Sequence, residues 1–524
     1  MIDTMHELQD ELRNKFDIGV KNQQLISSDE LVISGRDDKM LEVLDYLATK
    51  CSARLVHQVV NDFETRMELI DVLFMNHLRA RVYVKIDIDS RDKKITTIAD
   101  MFPAAKWLEK YQSQFLELDF VPRQIHQAEN PPATKGDAGL PWVNIQVDDI
   151  VDKSKLLGAP GILDPKLDIA SYTWVKTQQT VITSTRCQLG HFHRGIVKFA
   201  ENVPVSDLPF VIARSCWKDR FHALTALAIV MERLNGIDGK VPLNATYWRA
   251  FACELERVRN HHEFLISWLQ LAGNRQAVQE NKLIIQELEA IEKSLVDEQS
   301  KTPFIVPGGI LVDPVAIGRI TRPAIENALR KYEANFSDYF LAPMNDRGLF
   351  DAYAGVGKIG KAAALAAGLN GPFLRACGVP FDTRVDFPWG PYKQGLLRWD
   401  TCTSLDGDVR ARIEIHAYEI IQSLRIMYQL LALLAETPVA EASNVDAGKI
   451  VAGAEGFAVV ESSSGDLHLY VKGSKDGSKL NTIRIQAPSY LNFTALETII
   501  GTANLRMYPY IVHSVNPCWT CIDM

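Results

Sequence analysis

A chain of 524 residues with 47% apolar side chains is long enough for more than one domain, each with a core of its own. Its formal charge of −8 and sequence pI near 5.9 argue against a nucleic-acid partner, because phosphate binding needs clustered Lys and Arg. No apolar run reaches bilayer-spanning length, the start "MIDTMHELQDELRNKF" is charged and amphipathic rather than a secretory leader, and eight cysteines describe no disulfide framework.

These features place the chain in the cytoplasm. Residues 1–125 read as a small α/β unit. In "DDKMLEVLDYLATKC" the spacing puts Leu41, Leu44, Leu47 and Ala48 on one helical face. "RVYVKIDID" alternates, with Val82, Val84, Ile86 and Ile88 facing one way and polar residues the other, and "RMELIDVLFM" is the predicted hairpin partner in an antiparallel sheet. Residues 126–142, "HQAENPPATKGDAGLPW", read as a linker rich in Pro, Gly and polar side chains. The second unit, 143–524, opens with the β-like "YTWVKTQQTVITST". Helices are predicted over 206–235, 243–272, 275–297, 314–334 and 408–436, and strand returns in "AEGFAVVESSSGDLHLYVKG" and "KLNTIRIQAP". The fold class is therefore α+β: a small N-terminal α/β domain, then a large, mainly helical domain with a small β layer.

The segment "NPCWTCIDM" holds two close thiols, Cys518 and Cys521. In a reducing compartment such a pair points to metal or redox chemistry, and a two-thiolate half-site needs a second half. Cys51, Cys187, Cys253, Cys377 and Cys402 stand alone and read as small buried hydrophobes. Cys216, in "RSCWKDRFHALTALAIVMERLNGI", is predicted early in a helix, where backbone N–H groups favour a thiolate. Three residues on, where a second sulfur would stand, is Asp219, a harder ligand. Other features take plainer readings. Trp217 and Trp519 are packing residues, and His261 and His262 diverge by about 100° on a helix and do not share a metal. "AGVGKIG" lacks the Lys-Ser/Thr of a phosphate loop. Cys187 with His191 and His193 lacks the fourth ligand that zinc takes.

Several longer motifs carry a resemblance. "GHFHRGIVKFAE", "NATYWRAFACELERVRNHHEFL", "AGVGKIGKAAALAAGLNGPFLRACGVPFDTR", "GDVRARIEIHAYEIIQSLRIM", "IRIQAPSYLNFTAL" and "SVNPCWTC" occur in that order. The chain resembles the large subunit of group 4 membrane-bound [NiFe] hydrogenases, of the formate hydrogenlyase and hydrogenase-4 type, and the homologous 49 kDa subunit of respiratory complex I. "FPAAKWLEK" makes the first unit similar to the complex I 30 kDa subunit, carried as an N-terminal fusion.

The resemblance implies nickel and iron held by two Cys-x-x-Cys motifs. All four thiolates bind nickel, and one from each motif bridges to an iron carrying CN and CO. The implied metal set here is Cys216, Asp219, Cys518 and Cys521, with Asp219 in a bridging position. The family's proton-carrying Glu is replaced by Val197, and its Arg over the open metal position by Ser464 in "ESSSG". These departures argue against ordinary hydrogen turnover, since acid–base and preorganised charge effects each carry orders of magnitude in rate. The quinone-binding tyrosine of complex I, near the position of Cys216, is missing as well.

On the electron-entry side, the resemblance places Arg194 and His261 (or His262) near the iron–sulfur cluster of a small partner subunit; otherwise they form structural ion pairs. It implies a ferredoxin-like electron-transfer subunit, integral membrane subunits and a peripheral place at the cytoplasmic membrane face. In the family a protease often removes an extension beyond the last ligand motif once nickel is in place; Met524, the third residue past Cys521, stands where a matured chain would end. Three functions follow. The first is an energy-converting oxidoreductase subunit with an altered metal site. The second is a non-catalytic coupling subunit with zinc or no metal, and the third a nickel–iron hydrogenase using Asp219 as a ligand.

Overall fold

A computed structural model describes residues 2–63, 66–123, 172–178, 180–188, 194–216, 218–295, 303–311, 322–345, 350–393, 395–437, 450–501 and 503–522. The predicted linker at 126–142, the boundary at 143, Trp217, His191 and His193 lie outside them.

The N-terminal unit begins with α1 (Met5–Phe16), whose first turn is capped by the Thr4 hydroxyl accepting from Glu7 N at 3.2 Å. Strands β1 (Gln23–Ser27) and β2 (Glu30–Gly35) precede α2 (Asp37–Lys50), and β3 (Arg54–Asp62), β4 (Arg66–Met75), β5 (Ala80–Asp89) and α3 (Ala105–Leu116) follow. The five strands form one sheet in the order β1-β2-β5-β4-β3. The expected β4–β5 hairpin is present, in antiparallel register with Leu73 opposite Val82. The sheet as a whole is mixed, because β2 runs parallel to β5. A helix lies between β2 and β3, and such a crossover lets strands return in the same direction.

Val82, Val84, Ile86 and Ile88 share a core with Leu8 and Leu12 of α1 and Leu44 and Leu47 of α2. The opposite face, read from sequence as polar, is also buried. Tyr83 stacks on Phe457 with ring centroids 4.5 Å apart, and the Arg81 guanidinium lies 4.5 Å over Phe387. Lys85 pairs with Glu455. The large domain covers that face, so half-polar alternation there marks a domain interface and not solvent.

The large domain opens with a hairpin of β6 (Tyr172–Gln178) and β7 (Val181–Gln188). Its helices are α4 (Ile196–Asn202), α5 (Leu208–Ile212), α6 (Arg220–Leu234), α7 (Leu243–Leu271), α8 (Arg275–Leu295), α9 (Arg322–Phe336) and α10 (Val409–Glu436), with shorter turns between α9 and α10. The helix expected over 206–235 is broken. Residues between Ile212 and Arg220 leave helical conformation, and Cys216 sits in that loop rather than early in a helix. The break has a cause: the N–H groups of Phe221 and His222, which open α6, are taken by the Glu256 carboxylate of α7.

α7 and α10 pack against each other through the middle of the domain and are buried along most of their length. An antiparallel sheet of β8 (Glu455–Ser462), β9 (Gly465–Gly473) and β10 (Leu480–Gln486) packs against α6. The β8–β9 turn is Ser463–Ser464, and β10 reaches the N-terminal domain, where Gln486 Nε2 donates to Val56 O at 2.9 Å.

Candidate metal centre

The loop before α6 and the segment holding Cys518 and Cys521 meet beneath the Ser463–Ser464 turn. Cys216 Sγ lies 3.3 Å from Cys518 Sγ, and these two sulfurs and that of Cys521 all fall within 4.8 Å of one another. All three thiols are buried. Cys518 N donates to Ser489 Oγ at 2.8 Å, and Asp219 N donates to Cys216 Sγ at 3.3 Å. Two cationic side chains tie the loops together. Arg194, exposed at the start of α4, donates through Nη2 both to Ser215 O and, at 2.6 Å, to Thr520 O. Lys218 Nζ reaches Asn516 Oδ1 at 3.1 Å, while Asn260 of α7 holds Lys218 O and, at 2.9 Å, Ser463 Oγ.

The sulfurs do not titrate alike. Hydrogen bonds from the Cys216 and Cys521 thiols hold Cys518 well below the ordinary thiol range. Burial pushes Cys216 up, and Cys521 is raised by sharing its proton with Cys216 and Cys518. Of the three thiols, Cys518 is thus the one whose ionised form its neighbours favour.

Asp219 turns to other partners. Its Oδ1 accepts from Ser463 Oγ at 2.7 Å and Ser463 N at 3.2 Å, and lies 3.8 Å from His222 Nδ1. With His222 and Glu256 it forms a second buried group whose ligand atoms are mutually within 4.8 Å. Glu256 Oε2 is 2.7 Å from His222 Nδ1. Burial raises Glu256 to about 8 and Asp219 above its usual range, and lowers His222 to about 3. Sequence reading singled out neither His222 nor Glu256, although His222 stands three residues after Asp219 and Glu256 lies inside the quoted "ELERVRNHH".

Three sulfurs and a nearby carboxylate suit one soft or borderline cation. Asp219, three residues after Cys216 where a Cys-x-x-Cys would place its second sulfur, has its Oδ1 taken by Ser463. Val197 is a buried apolar residue of α4, and the buried Ser464 hydroxyl has no hydrogen-bond partner among the described residues.

Residues 33–123 match the family model described as respiratory-chain NADH dehydrogenase, 30 Kd subunit, and residues 291–449 that of the 49 Kd subunit. The chain carries both domains, fused. An NADH-quinone oxidoreductase subunit of Chloroherpeton thalassium is 27% identical over 360 residues, which are 63% of this chain and 78% of that protein. The carbon monoxide-induced hydrogenase of Rhodospirillum rubrum is 24% identical over 370 residues, 69% of this chain and 98% of that one. A chain of the membrane-bound sulfane sulfur reductase (MBS), an archaeal respiratory membrane complex, shares the fold, with a TM-score of 0.62 at 24% identity over 68% of this chain and 94% of its own length. No helix among the described residues is long and apolar enough to cross a membrane.

Residues inside and outside the matched 291–449 segment form a buried ion network. Arg375 pairs with Glu419 of α10 at 2.7 Å and with Glu461 of β8 at 2.8 Å. Arg384 joins Asp382 at 2.8 Å to Glu254 of α7 at 3.0 Å. Arg257 donates to Ser462 O at 2.7 Å, which fixes the strand end from which the Ser463–Ser464 turn springs. His261 belongs to this network: Nε2 is 3.0 Å from Glu419 Oε2 and Nδ1 is 2.7 Å from His416 Nδ1. His262 points elsewhere, to Asn281 Oδ1 at 2.9 Å. Both imidazoles are fully buried, whereas Arg194 stands at the surface.

Proposed function

We propose that the chain is the hydrogenase-like subunit of a membrane-associated, multi-subunit oxidoreductase, peripheral on the cytoplasmic face. In this reading its three-thiol centre holds a single metal ion. The carrying observation is the meeting of Cys216, Cys518 and Cys521 in one buried cluster with one thiolate already favoured. The names of the relatives, an NADH-quinone oxidoreductase subunit and a carbon monoxide-induced hydrogenase, support the redox setting.

Cys216, Cys518 and Cys521 would hold the ion, with Asp219 as an oxygen ligand or as the carboxyl beside it. Nickel there would supply redox chemistry at sulfur-rich coordination, whereas zinc would only fix the loops. The protein's own residues do the rest. Burial excludes water, Arg194 and Lys218 hold the two loops in register, and Asp219 keeps a proton-sharing contact with Ser463 Oγ. Electrons would enter on the Arg194 side from an iron–sulfur small subunit, supplied by a ferredoxin-like subunit and passed on toward integral membrane subunits. The competing reading, a structural coupling subunit with zinc or no metal, draws on the replacement of Glu by Val197 and of Arg by Ser464.

Elemental analysis of the purified chain, freed of its iron–sulfur partners, separates the two readings. About one nickel per chain, lost in Cys216→Ser, supports the proposal. Zinc or no metal makes the centre structural. Nickel and iron together in stoichiometric amounts would restore a two-metal centre despite Asp219. Copurification with an iron–sulfur subunit and membrane subunits is expected, and recovery as a stable, fully active monomer would sink the assembly.

A further inference from the structure

Three thiols in contact can react with one another as well as with an ion. Cys216 Sγ and Cys518 Sγ, 3.3 Å apart, need to approach by about 1.3 Å to reach the length of a disulfide bond. Both sit where the backbone can follow. Cys216 lies in the loop between Ile212 and Arg220, and Cys518 precedes the helical turn Trp519–Ile522. Cys521 is inside that turn, its N–H donating to Cys518 O at 3.1 Å, and supplies the third sulfur. Two other buried thiols face oxygen instead. Cys253 Sγ lies 3.3 Å from Thr225 Oγ1, and Cys377 donates to Phe373 O at 3.4 Å.

The cluster is covered by a single residue on one side. Thr520 is half-buried, and its Oγ1 lies 3.1 Å from Cys518 Sγ and 3.9 Å from Cys216 Sγ. Its carbonyl is held by the exposed Arg194. A reagent about the size of water crosses that thickness by local fluctuation, without a preformed channel. Thiolate is the form of cysteine that binds a metal, and a disulfide has none. A bond between Cys216 and Cys518 removes two of the three sulfur ligands, so disulfide and bound ion exclude each other.

We propose that the cluster is a redox-gated site, in which a hydroperoxide joins Cys216 and Cys518 of the metal-free chain as a disulfide and a dithiol reductant reopens it to an ion. The gating rests on the reading of this cluster as a metal centre; the disulfide itself does not. With hydrogen peroxide, one sulfur attacks an oxygen: an S–O bond forms, the O–O bond breaks and one water leaves. The second thiol attacks that sulfur, forming the S–S bond, breaking S–O and releasing a second water. The two thiols give up two electrons and two protons, which the peroxide takes up. A dithiol reverses the bond by thiol–disulfide exchange and is itself oxidised.

The test treats the full chain, freed of its iron–sulfur partners and of metal by a chelator, with a small excess of hydrogen peroxide. Disulfides are mapped by mass spectrometry of unreduced digests, and fragmentation between Trp519 and Thr520 tells Cys518 from Cys521. The same oxidation in urea is the control. In the unfolded chain the short Cys518–Cys521 loop closes at far lower entropic cost than one of 302 residues, so the local pair dominates there. Relative to Cys518–Cys521, the Cys216–Cys518 link is expected at least about ten-fold more often in the folded chain than in urea. Dithiothreitol should remove it, Cys521→Ser should still form it, and a chain loaded beforehand with nickel or zinc should form at least about ten-fold less of it. A folded chain that forms no Cys216–Cys518 link, or forms it in the proportion seen in urea, overturns the proposal. So does a link that forms equally fast with metal bound. A link that forms in a chain unable to take up metal even after dithiothreitol upholds the disulfide and overturns the metal-ion reading instead.

Discussion

At Gly371 the backbone has a φ of +63°, and a Cβ built there would lie 2.3 Å from Ser464 O. Only glycine lets this loop press against the turn above the thiols. Gly371→Ala is expected to destabilise the protein by about 2 kcal/mol or more in chemical denaturation, from backbone strain and the forced shift of the turn. Arg194 works through hydrogen bonds to two backbone carbonyls. Arg194→Met should raise hydrogen exchange in the segments around Cys216 and Cys518 by about ten-fold, with helices α7 and α10 unchanged, as expected for loss of a local brace. Asp71 offers a pH signature. Burial raises its pKa to about 7, so between about pH 4 and 7 the folded state binds a proton that the unfolded state has released. Stability from this group is complete below pH 4 and declines as pH rises to 7. Asp71→Asn should therefore equal the wild type near pH 4 and exceed it at pH 8, by about 4 kcal/mol. A difference independent of pH would refute the assignment.

The paired helices α7 and α10 carry the ion network that sets the strand end beneath the Ser463–Ser464 turn. Arg375 keeps Glu461 when Glu419 is lost, so Glu419→Gln, which removes one of its two close carboxylates and the partner of His261, is expected to destabilise by about 1–3 kcal/mol in urea denaturation. These long elements were legible in the sequence. Helices predicted at 243–272 and 408–436 span Leu243–Leu271 and Val409–Glu436, because apolar periodicity over eight turns is a strong local signal. The β4–β5 hairpin was legible for the same reason. The broken helix around Cys216 was not, since its loop is shaped by Cys518, 302 residues away, and by Glu256 on another helix. Nor could spacing show that Asp219 turns to Ser463, 244 residues distant, or that alternation in β5 hides a second buried face. Cysteine spacing named Cys518 and Cys521, and the motif resemblance added Cys216, whose expected helical setting is instead a loop; the surroundings of all three are tertiary information.

Across the whole molecule, the N-terminal sheet is held between its own helices and the large domain. Its outer contacts include the Tyr83–Phe457 stack and the bond from Asn61 Nδ2 to Tyr470 Oη at 2.7 Å. Residues 1–123 and 172–524 produced as separate chains are therefore expected to copurify as a stable pair, and Tyr83→Ala to weaken the pair by about ten-fold or more in dissociation constant. Failure to associate would mean that covalent fusion, not packing, joins the domains. The contact between Cys216 and Cys518 has a further meaning, in terms of chain entropy. Any bond that joins them, through a shared ion or directly, closes a loop of 302 residues. Tying so long a loop removes a large share of the shapes open to the unfolded chain, worth about 5–6 kcal/mol on a polymer estimate. The thiol cluster is thus a clasp on the large domain as well as a site within it, and whatever opens the clasp lengthens the free chain by more than half of its residues.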